Sequence, residues 1–156
     1  MRHTESIEGK IKKRASGIII AGALFCLDQS VKYSFPASDR YYCNHDGPWG
    51  TVMHEEVLLS GGALLLVAFG TFLLRARGWR EIVAFAFLFG GGLSNLVDRA
   101  LYGCVRDFSV VSWFPAFNFA DVCLSVGAGL LLTTLFSRAR NSEISISRES
   151  HDASVR

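Results

Sequence analysis

Two aspartates, Asp107 and Asp121, are the residues of this 156-residue chain best suited to catalysis. They lie 14 positions apart, and the stretch 108–120 between them carries no charge. Two carboxylates in one pocket cannot both ionise cheaply, so one of them keeps a proton near neutral pH. One can then act as base on a water while the other donates to a carbonyl oxygen, as in aspartic proteases. If the fold brings the two together, the pair predicts hydrolysis of a peptide bond.

Two further pairs of charged residues lie in or beside apolar runs. Asp28 and Lys32 are spaced i, i+4 and can pair on one helix face. They form either a structural ion pair or a direct contact with substrate. Asp98 and Arg99 are adjacent, so they do not face each other on a helix. We expect this second pair to be scaffold, although Arg99 could also contact the backbone of a substrate.

Other chemistries lack their residues. The sequence contains no GxSxG, HExxH or P-loop motif. Its four histidines do not cluster, and none falls within an apolar run where it could activate a serine: His3, His45, His54 and His151. The net charge is +2 without a basic stripe, so nucleic-acid binding has no support. We expect no metal and no cofactor.

The four cysteines stand at no framework or metal spacing, which argues against a disulfide-framed secreted domain. Cys26 and Cys123 fall within or beside apolar runs, where a small apolar side chain fits. Cys43 and Cys104 lie between such runs and could pair if an oxidising periplasm surrounds them. The sequence leaves open whether this second pair forms a disulfide or remains as thiols.

The elements that must position these residues are apolar helices. Half of the residues are hydrophobic and 19% are charged, whereas soluble domains carry about 25% charged residues. A membrane span needs about 20 mostly apolar residues. The chain supplies four candidates, at 15–33, 56–75, 80–99 and 118–137. The third and fourth reach that length only by including a charge, which marks a functional site.

The distribution of Lys and Arg predicts the direction of the four spans. The segment 1–14, the link between the second and third spans and the tail 138–156 hold 12 of the 16 basic residues. Because basic segments stay in the cytoplasm, we expect both termini inside and the segments 34–55 and 100–117 outside. The first apolar run reads as an uncleaved span because no small-residue cleavage site follows it. The tail, rich in Ser, Arg and Glu, is expected to be disordered.

This topology gathers the polar residues at one depth. Asp28 and Lys32 fall at the outer end of the first span, Asp98 and Arg99 at the outer end of the third, and Asp121 at the outer start of the fourth. Asp107 lies in the short outer loop that joins the last two spans. We therefore expect a site near the outer surface of the bilayer. Gly90, Gly91 and Gly92 of the third span are expected to allow close helix packing.

Four sequence blocks in series resemble those of the lipoprotein signal peptidases, also called signal peptidase II. The blocks cover about residues 15–137. Leu27–Lys32 resembles D-Q-x-x-K, and Cys43–Gly50 resembles N-x-G-x-A-[FW]-[GS]. Gly90–Phe108 is similar to G-G-x-x-G-N-x-x-D-R followed by G-x-V-x-D-F. Phe114–Asp121 is similar to F-P-x-F-N-x-A-D. The chain departs from the family at Ser94, at His45, Asp46 and Pro48, and in the short interval from Asp107 to Asp121.

The resemblance implies an aspartic endopeptidase of the bacterial cytoplasmic membrane. Its substrate would be a prolipoprotein whose cysteine carries diacylglycerol, cut on the amino-terminal side of that cysteine. Asp107 and Asp121 match the catalytic dyad. The residues that match positions shaping or supporting the site are Asp28, Lys32, Asn44, Asn95, Asp98, Arg99 and Asn118. The resemblance also implies inhibition by globomycin-type cyclic peptides, contact with membrane lipid and no cofactor, and we expect a monomer.

We therefore expect an all-α membrane protein, a bundle of four transmembrane helices with both termini inside. A small, partly β extracytoplasmic cap and an interfacial loop complete the fold. Two other functions remain open at this stage. A small ion or proton carrier would also place Asp and Lys within spans, but it predicts charges spread through the bilayer depth. A catalytically inactive membrane assembly protein would be expected only if a dyad aspartate were missing.

Overall fold

Four long helices and two short antiparallel strand pairs make up the described part of the chain. The computed structural model describes residues 7–34, 42–46, 51, 53–111 and 114–154. In chain order the elements are α1 (Ile7–Ser34), β1 (Tyr42–Asn44), α2 (Glu55–Arg75), α3 (Trp79–Tyr102), β2 (Val105–Asp107), β3 (Ser109–Val111), β4 (Phe114–Phe117) and α4 (Phe119–Ser154). Pro48, Trp113 and the first part of the basic segment 1–14 lie outside the described residues.

All four helices are long and apolar enough to cross a membrane. This agrees with the prediction of four apolar helices of membrane-spanning length. α2 and α3 begin and end within three residues of the predicted bounds, whereas α1 begins earlier, at Ile7. Large apolar side chains such as Leu64, Val67 and Phe136 are exposed on α2 and α4. Because the exposure of many large apolar side chains to water is unfavourable, these faces suit contact with lipid.

Helix α3 is the centre of the bundle. In the apolar stretch of each helix, 44% of residues are buried for α3, against 11 to 22% for the others. α3 packs on α1, α2 and α4. Two glycines allow this close approach, because a Cβ on Gly90 would lie 2.7 Å from the Ala21 carbonyl oxygen of α1. A Cβ on Gly91 would lie 2.6 Å from the Ala120 carbonyl oxygen of α4. The glycine run is therefore a packing feature, as predicted.

The chain turns sharply after α3. Gly103 ends the helix in the left-handed region at φ 70°, which glycine adopts without steric cost, and its N–H bonds to the Arg99 carbonyl. The turn leads directly into β2, which pairs antiparallel with β1 in the register Tyr42↔Asp107 and Asn44↔Val105. Strands β3 and β4 form the second pair. The predicted β structure is present, and its extracytoplasmic position stays a prediction.

A disulfide joins Cys43 of β1 to Cys104, the residue before β2. The sequence left this pairing open, because 61 positions separate the two cysteines. The strand pairing supplies what the sequence could not show. Asn44 lies opposite Val105 in the register, and this brings Cys43 and Cys104, the residues directly before them, to a Cα–Cα distance of 5.5 Å. The disulfide and the ladder together tie the segment after α1 to the end of α3.

Helix α4 corrects the expected boundary at Ser137. The helix continues to Ser154, so residues 138–154 are helical rather than disordered. Their composition misled because it is polar, yet no glycine or proline follows Gly129 to end a helix. Arg138 also forms an ion pair with Glu81 of α3. The fourth apolar helix thus runs without interruption into the polar C-terminal segment.

Candidate active site

Asp121 is held at the start of α4 by a reciprocal pair of hydrogen bonds. The Asp121 N–H donates to Asn118 Oδ1 at 3.0 Å, and the Asn118 N–H donates to Asp121 Oδ2 at 3.1 Å. This is the capping-box arrangement, in which residues three apart satisfy N–H groups at a helix start. The helix start itself therefore fixes the position of the Asp121 carboxylate.

Asp107 is the last residue of β2 and is 1% exposed. Asn44, at the end of β1, donates its Nδ2 to Asp107 Oδ2 at 3.0 Å. Burial, together with the nearby Asp121 carboxylate, raises the pKa of Asp107 to about 6, although hydrogen bonds from Asn44 and Asn118 oppose the rise. Asp107 can therefore carry a proton in a pH range where an ordinary aspartate cannot.

Asn118 bonds to both aspartates and is completely buried. Its side-chain Nδ2 donates to Asp107 Oδ1 at 2.8 Å, while its backbone N–H donates to Asp121. The structure therefore brings together the two carboxylates that the sequence singled out, one from a strand and one from a helix. A pair held this way can share one proton and flank one water molecule.

Asn95 of α3 connects the dyad to a buried lysine. Its Nδ2 donates to Asp121 Oδ1 at 2.8 Å. Its Oδ1 accepts from Lys32 Nζ at 3.2 Å and from Asn118 Nδ2 at 3.1 Å. Because an ammonium group only donates, Lys32 fixes which end of the Asn95 amide faces it. The donor end of Asn95 is then turned toward Asp121.

The predicted pair of Asp28 and Lys32 is confirmed, with Nζ 2.7 Å from Oδ2 and both residues buried. Asp28 also accepts from Ser94 Oγ at 2.6 Å and from the Ala120 N–H at 2.8 Å. The second bond satisfies an N–H at the start of α4 that has no partner within the helix. Asp28 therefore ties α1 to both α3 and α4 beside the dyad.

Asp98 is completely buried and bonds to several charged and polar groups, which suits the scaffold role expected for it. It pairs with Lys32 at 3.0 Å and with Arg106 at 2.8 Å, and it accepts from Gln29 Nε2 at 3.0 Å. Two acidic and two basic groups (Asp28, Asp98, Lys32 and Arg106) thus balance in charge. Such a set is stable only when complete, because removing one partner of a buried pair costs about 3–5 kcal/mol.

Arg99 donates hydrogen bonds to backbone carbonyls of the segment after β1, whereas Asp98 bonds to Lys32, Arg106 and Gln29. Its Nη2 donates to the Asp46 carbonyl at 2.6 Å, and its Nη1 to the His45 carbonyl at 3.5 Å. His45 in turn bonds through Nδ1 to the Gly103 carbonyl at 3.1 Å. The side chain of Arg99 therefore holds the segment after β1, which carries the irregular part of the second sequence block.

Sequence reasoning did not assign a role to Arg106, Gln29 or Ser94. Gln29 and Ser94 stood inside quoted motifs, and Arg106 stood directly before a candidate catalytic residue. Period-two alternation along a strand would have placed the side chains of Arg106 and Asp107 on opposite faces of that strand. The partners themselves could not be found this way, since Gln29 is 77 positions from Arg106.

Cys43, His45 and Cys104 form a group with the residue types of a metal site. Their sulfur atoms are joined to each other in the disulfide, and His45 bonds to a backbone carbonyl. A disulfide sulfur is not a thiolate and is therefore a poor ligand. The group is better described as the junction that closes the strand pair.

A family model described as Signal peptidase (SPase) II matches residues 20–137. This chain belongs to the signal peptidase II family. The matched range covers the C-terminal part of α1, all of α2 and α3 and the apolar beginning of α4, and it includes Asp107, Asp121 and the residues that bond to them. The family resemblance stated from the sequence is therefore confirmed, and it agrees with a multi-pass membrane protein.

Relatives and solved structures agree with this family. A lipoprotein signal peptidase of Pseudomonas fluorescens (strain Pf0-1) is 33% identical over 141 residues, which cover 87% of this chain and 79% of the relative. A lipoprotein signal peptidase of Teredinibacter turnerae is 43% identical over 79 residues. That stretch spans about half of each protein, 48% of this chain and 47% of the relative. A solved bacterial membrane enzyme structure aligns with a TM-score of 0.71 and 26% identity, covering 81% of this chain and 91% of that one.

Proposed function

We propose that this chain is an aspartic endopeptidase of the bacterial inner membrane that removes signal peptides from diacylglyceryl-modified prolipoproteins. It cuts on the amino-terminal side of the lipidated cysteine, and Asp107 and Asp121 activate the water. The observation that carries the proposal is the bridge through Asn118, which bonds to both carboxylates. The lipoprotein signal peptidase relatives support the substrate class.

The proposed chemistry needs one proton shared between the two carboxylates. The ionised carboxylate takes a proton from water, whose oxygen attacks the carbonyl carbon. The protonated carboxylate donates to the carbonyl oxygen. Collapse of the tetrahedral intermediate breaks the C–N bond, and the proton taken from water passes to the leaving amine. One hydroxyl of the intermediate returns its proton to the other carboxylate as the product carboxyl group forms, so the pair again holds one proton. The raised pKa of Asp107, about 6 because of burial and the nearby Asp121, supports Asp107 as the member that holds the proton.

The same proposal places the site near the extracytoplasmic surface, with both termini inside. The excess of Lys and Arg in the predicted cytoplasmic segments supports this direction. The disulfide between Cys43 and Cys104 supports it independently, because disulfides persist in the periplasm and are rare in the cytosol. A lipid-anchored cysteine stays near that surface, so a site there meets the scissile bond without drawing the lipid into water.

The position of the buried charges favours a peptidase over an ion or proton carrier. Among the described residues, those that are charged and buried are Asp28, Lys32, Asp98, Arg106 and Asp107. They all lie at the end of the bundle where α1 and α3 end and α4 begins. A carrier needs polar groups along its path through the bilayer, so this clustering supports one reaction site.

The substrate class is tested with the purified full-length protein and one prolipoprotein in two forms, with and without diacylglycerol on its cysteine. We expect cleavage of the lipidated form, with mass spectrometry giving a product that begins at the lipidated cysteine. Equal cleavage of both forms would contradict the substrate class. Cleavage at another bond would contradict the proposed position, and no cleavage of either form would contradict the proposed function.

A further inference from the structure

Arg106 occupies an unusual position for an arginine, because it is only 5% exposed. It lies on β2 directly before Asp107. Successive side chains of a strand point to opposite faces, so the Arg106 side chain leaves β2 on the face opposite Asp107. The Arg106 side chain is therefore buried by contacts on that face and not by contact with the Asp107 carboxylate.

The contacts of Arg106 join β2 to two helices. Its Nη2 donates to Asp98 Oδ1 at 2.8 Å and its Nε to Asp98 Oδ2 at 3.4 Å. The Arg106 backbone N–H also donates to Asp98 Oδ2, at 3.1 Å. Nη2 donates further to Gln29 Oε1 of α1 at 2.9 Å. A two-pronged ion pair of this kind fixes orientation as well as distance.

Two tyrosine rings cover the guanidinium. The centroid of the Tyr102 ring lies 4.3 Å from Arg106 Cζ, and that of the Tyr33 ring lies 5.1 Å away. Both distances fall within the range of cation–π contacts. The hydroxyl groups of the two rings are 3.3 Å apart and form a hydrogen bond that joins the rings to each other. The rings keep water from the ion pair, so salt and solvent screen it less.

We propose that Arg106 is a positioning residue that holds Asp107 in the site by clamping β2 onto α3 and α1, an inference that rests on the proposed function. β2 has only three residues, and β1, its pairing partner, is equally short. Asn44 and the disulfide connect β2 to β1, so they move with the strand pair. Arg106 connects that pair to the helices that carry the rest of the site, and its loss lets Asp107 shift relative to Asn118.

Arg106→Gln and Arg106→Lys are compared with the parent protein, and Arg140→Gln of the exposed α4 surface is the matched control. The measurements are kcat and KM for the lipidated prolipoprotein and the pH dependence of kcat/KM. We expect Arg106→Gln to lower kcat at least about tenfold, since small displacements of a reacting group are costly. KM should change less than about threefold, because β2 positions the reacting group rather than the lipid anchor.

The pH dependence separates positioning from simple loss of folded protein. If β2 loosens, water reaches Asp107, and the fall of kcat/KM moves from about pH 6 toward lower pH. A smaller amount of correctly folded enzyme lowers the rate without moving this pH. Arg106→Lys should recover only part of the rate, because an ammonium cannot form the two-pronged pair. The Arg140→Gln variant should match the parent.

A second measurement does not depend on activity. The pKa of Asp107 is followed by NMR of ¹³C-labelled aspartate in the parent and in Arg106→Gln. The charged groups that face Asp107 (Asp121, Lys32 and Arg99) are left unchanged, and so are the neighbouring Asp28 and Asp98. We expect a lower pKa in the variant. If the parent protein cleaves no prolipoprotein, the proposed function is contradicted. The difference in the Asp107 pKa between the parent and Arg106→Gln would still show whether Arg106 holds Asp107 in place.

The inference is overturned if Arg106→Gln keeps kcat within about twofold of the parent. It is also overturned if kcat falls while the pH at which kcat/KM declines and the pKa of Asp107 both stay unchanged. If Arg106→Gln fails to fold, the double variant Tyr33→Leu with Tyr102→Leu takes its place, because it keeps the ion pair but removes its cover. We expect a smaller loss of kcat and the same downward shift of the pH limb. An unmoved limb in that variant would also overturn the inference.

Discussion

At the scale of single residues, the site depends on amide side chains that are each used more than once. Asn118 donates to Asp107, caps α4 and receives the Asp121 N–H. Asn95 accepts from Lys32 and donates to Asp121. Each amide is oriented by a group that can bond to only one of its ends. The two carboxylates are therefore held by neutral donors, while the cations Lys32 and Arg106 are occupied by Asp28 and Asp98.

The residue scale also shows the limit of sequence reasoning. The pair of Asp28 and Lys32 could be predicted because its spacing is local. The proximity of Asp107 and Asp121 could be predicted because the topology and the family resemblance agree, and their catalytic role stays a prediction. The contacts of Arg106 and Gln29 with Asp98 depend on how three elements meet, and no local spacing encodes that meeting. The disulfide was open for the same reason.

The pH dependence of the reaction belongs to this scale. Burial and the neighbouring Asp121 raise the pKa of Asp107 to about 6. Because the proposed mechanism needs one proton on the dyad, kcat/KM should fall above about pH 6, as Asp107 loses that proton. It should also fall at low pH, when the second carboxylate is protonated. A rate profile of the purified protein between pH 4 and 9 measures both limbs, and a flat profile to pH 8 would exclude Asp107 as the proton carrier.

At the scale of elements, close helix approach sets the positions of the polar groups. Gly91 of α3 faces the Ala120 carbonyl of α4, and the Ala120 N–H is the one bound by Asp28. The helix contact and the buried polar network therefore meet at the same turn of α4. The sequence predicted the four spans and the packing use of the glycines. It could not predict that α4 continues to Ser154, because composition alone suggested disorder there.

Gly91→Ala tests this link between packing and the site. The new Cβ would lie 2.6 Å from a backbone oxygen of α4, which cannot move without shifting the helix start. We expect a loss of about 1–3 kcal/mol of stability, as for other overpacked cores, with a further loss of kcat. Thermal unfolding in detergent and the cleavage rate measure the two effects.

Gly129→Ala is the matched control for that variant. It lies on α4 with nothing within 4 Å of the added Cβ. Alanine favours a helix interior over glycine by about 1 kcal/mol, so this variant should be as stable as the parent or more stable. Equal behaviour of Gly91→Ala and Gly129→Ala would mean that the close contact of α3 with α4 does not matter.

At the scale of the whole molecule, we propose that one end of the bundle carries the chemistry and that the remainder anchors the protein in the membrane. Large apolar side chains are exposed along the helices, while the buried charges gather where α1, α3 and α4 meet the strands. The breaks in the third and fourth apolar runs, at Asp98 and Asp121, predicted this polarity from the sequence alone. The same polarity suits a peptidase whose substrate is held in the membrane beside its scissile bond.

The catalytic assignment is tested most directly by single-turnover cleavage of the lipidated prolipoprotein by the parent, Asp107→Asn, Asp121→Asn and Asp46→Asn. Asp46 is the control because it is an aspartate near the strands whose backbone, rather than its carboxylate, bonds to Arg99 and Asn44. We predict that each dyad variant is slower by at least about a hundredfold, with unchanged helical content, and that Asp46→Asn matches the parent. Cleavage at the parent rate by either folded dyad variant would contradict the assignment.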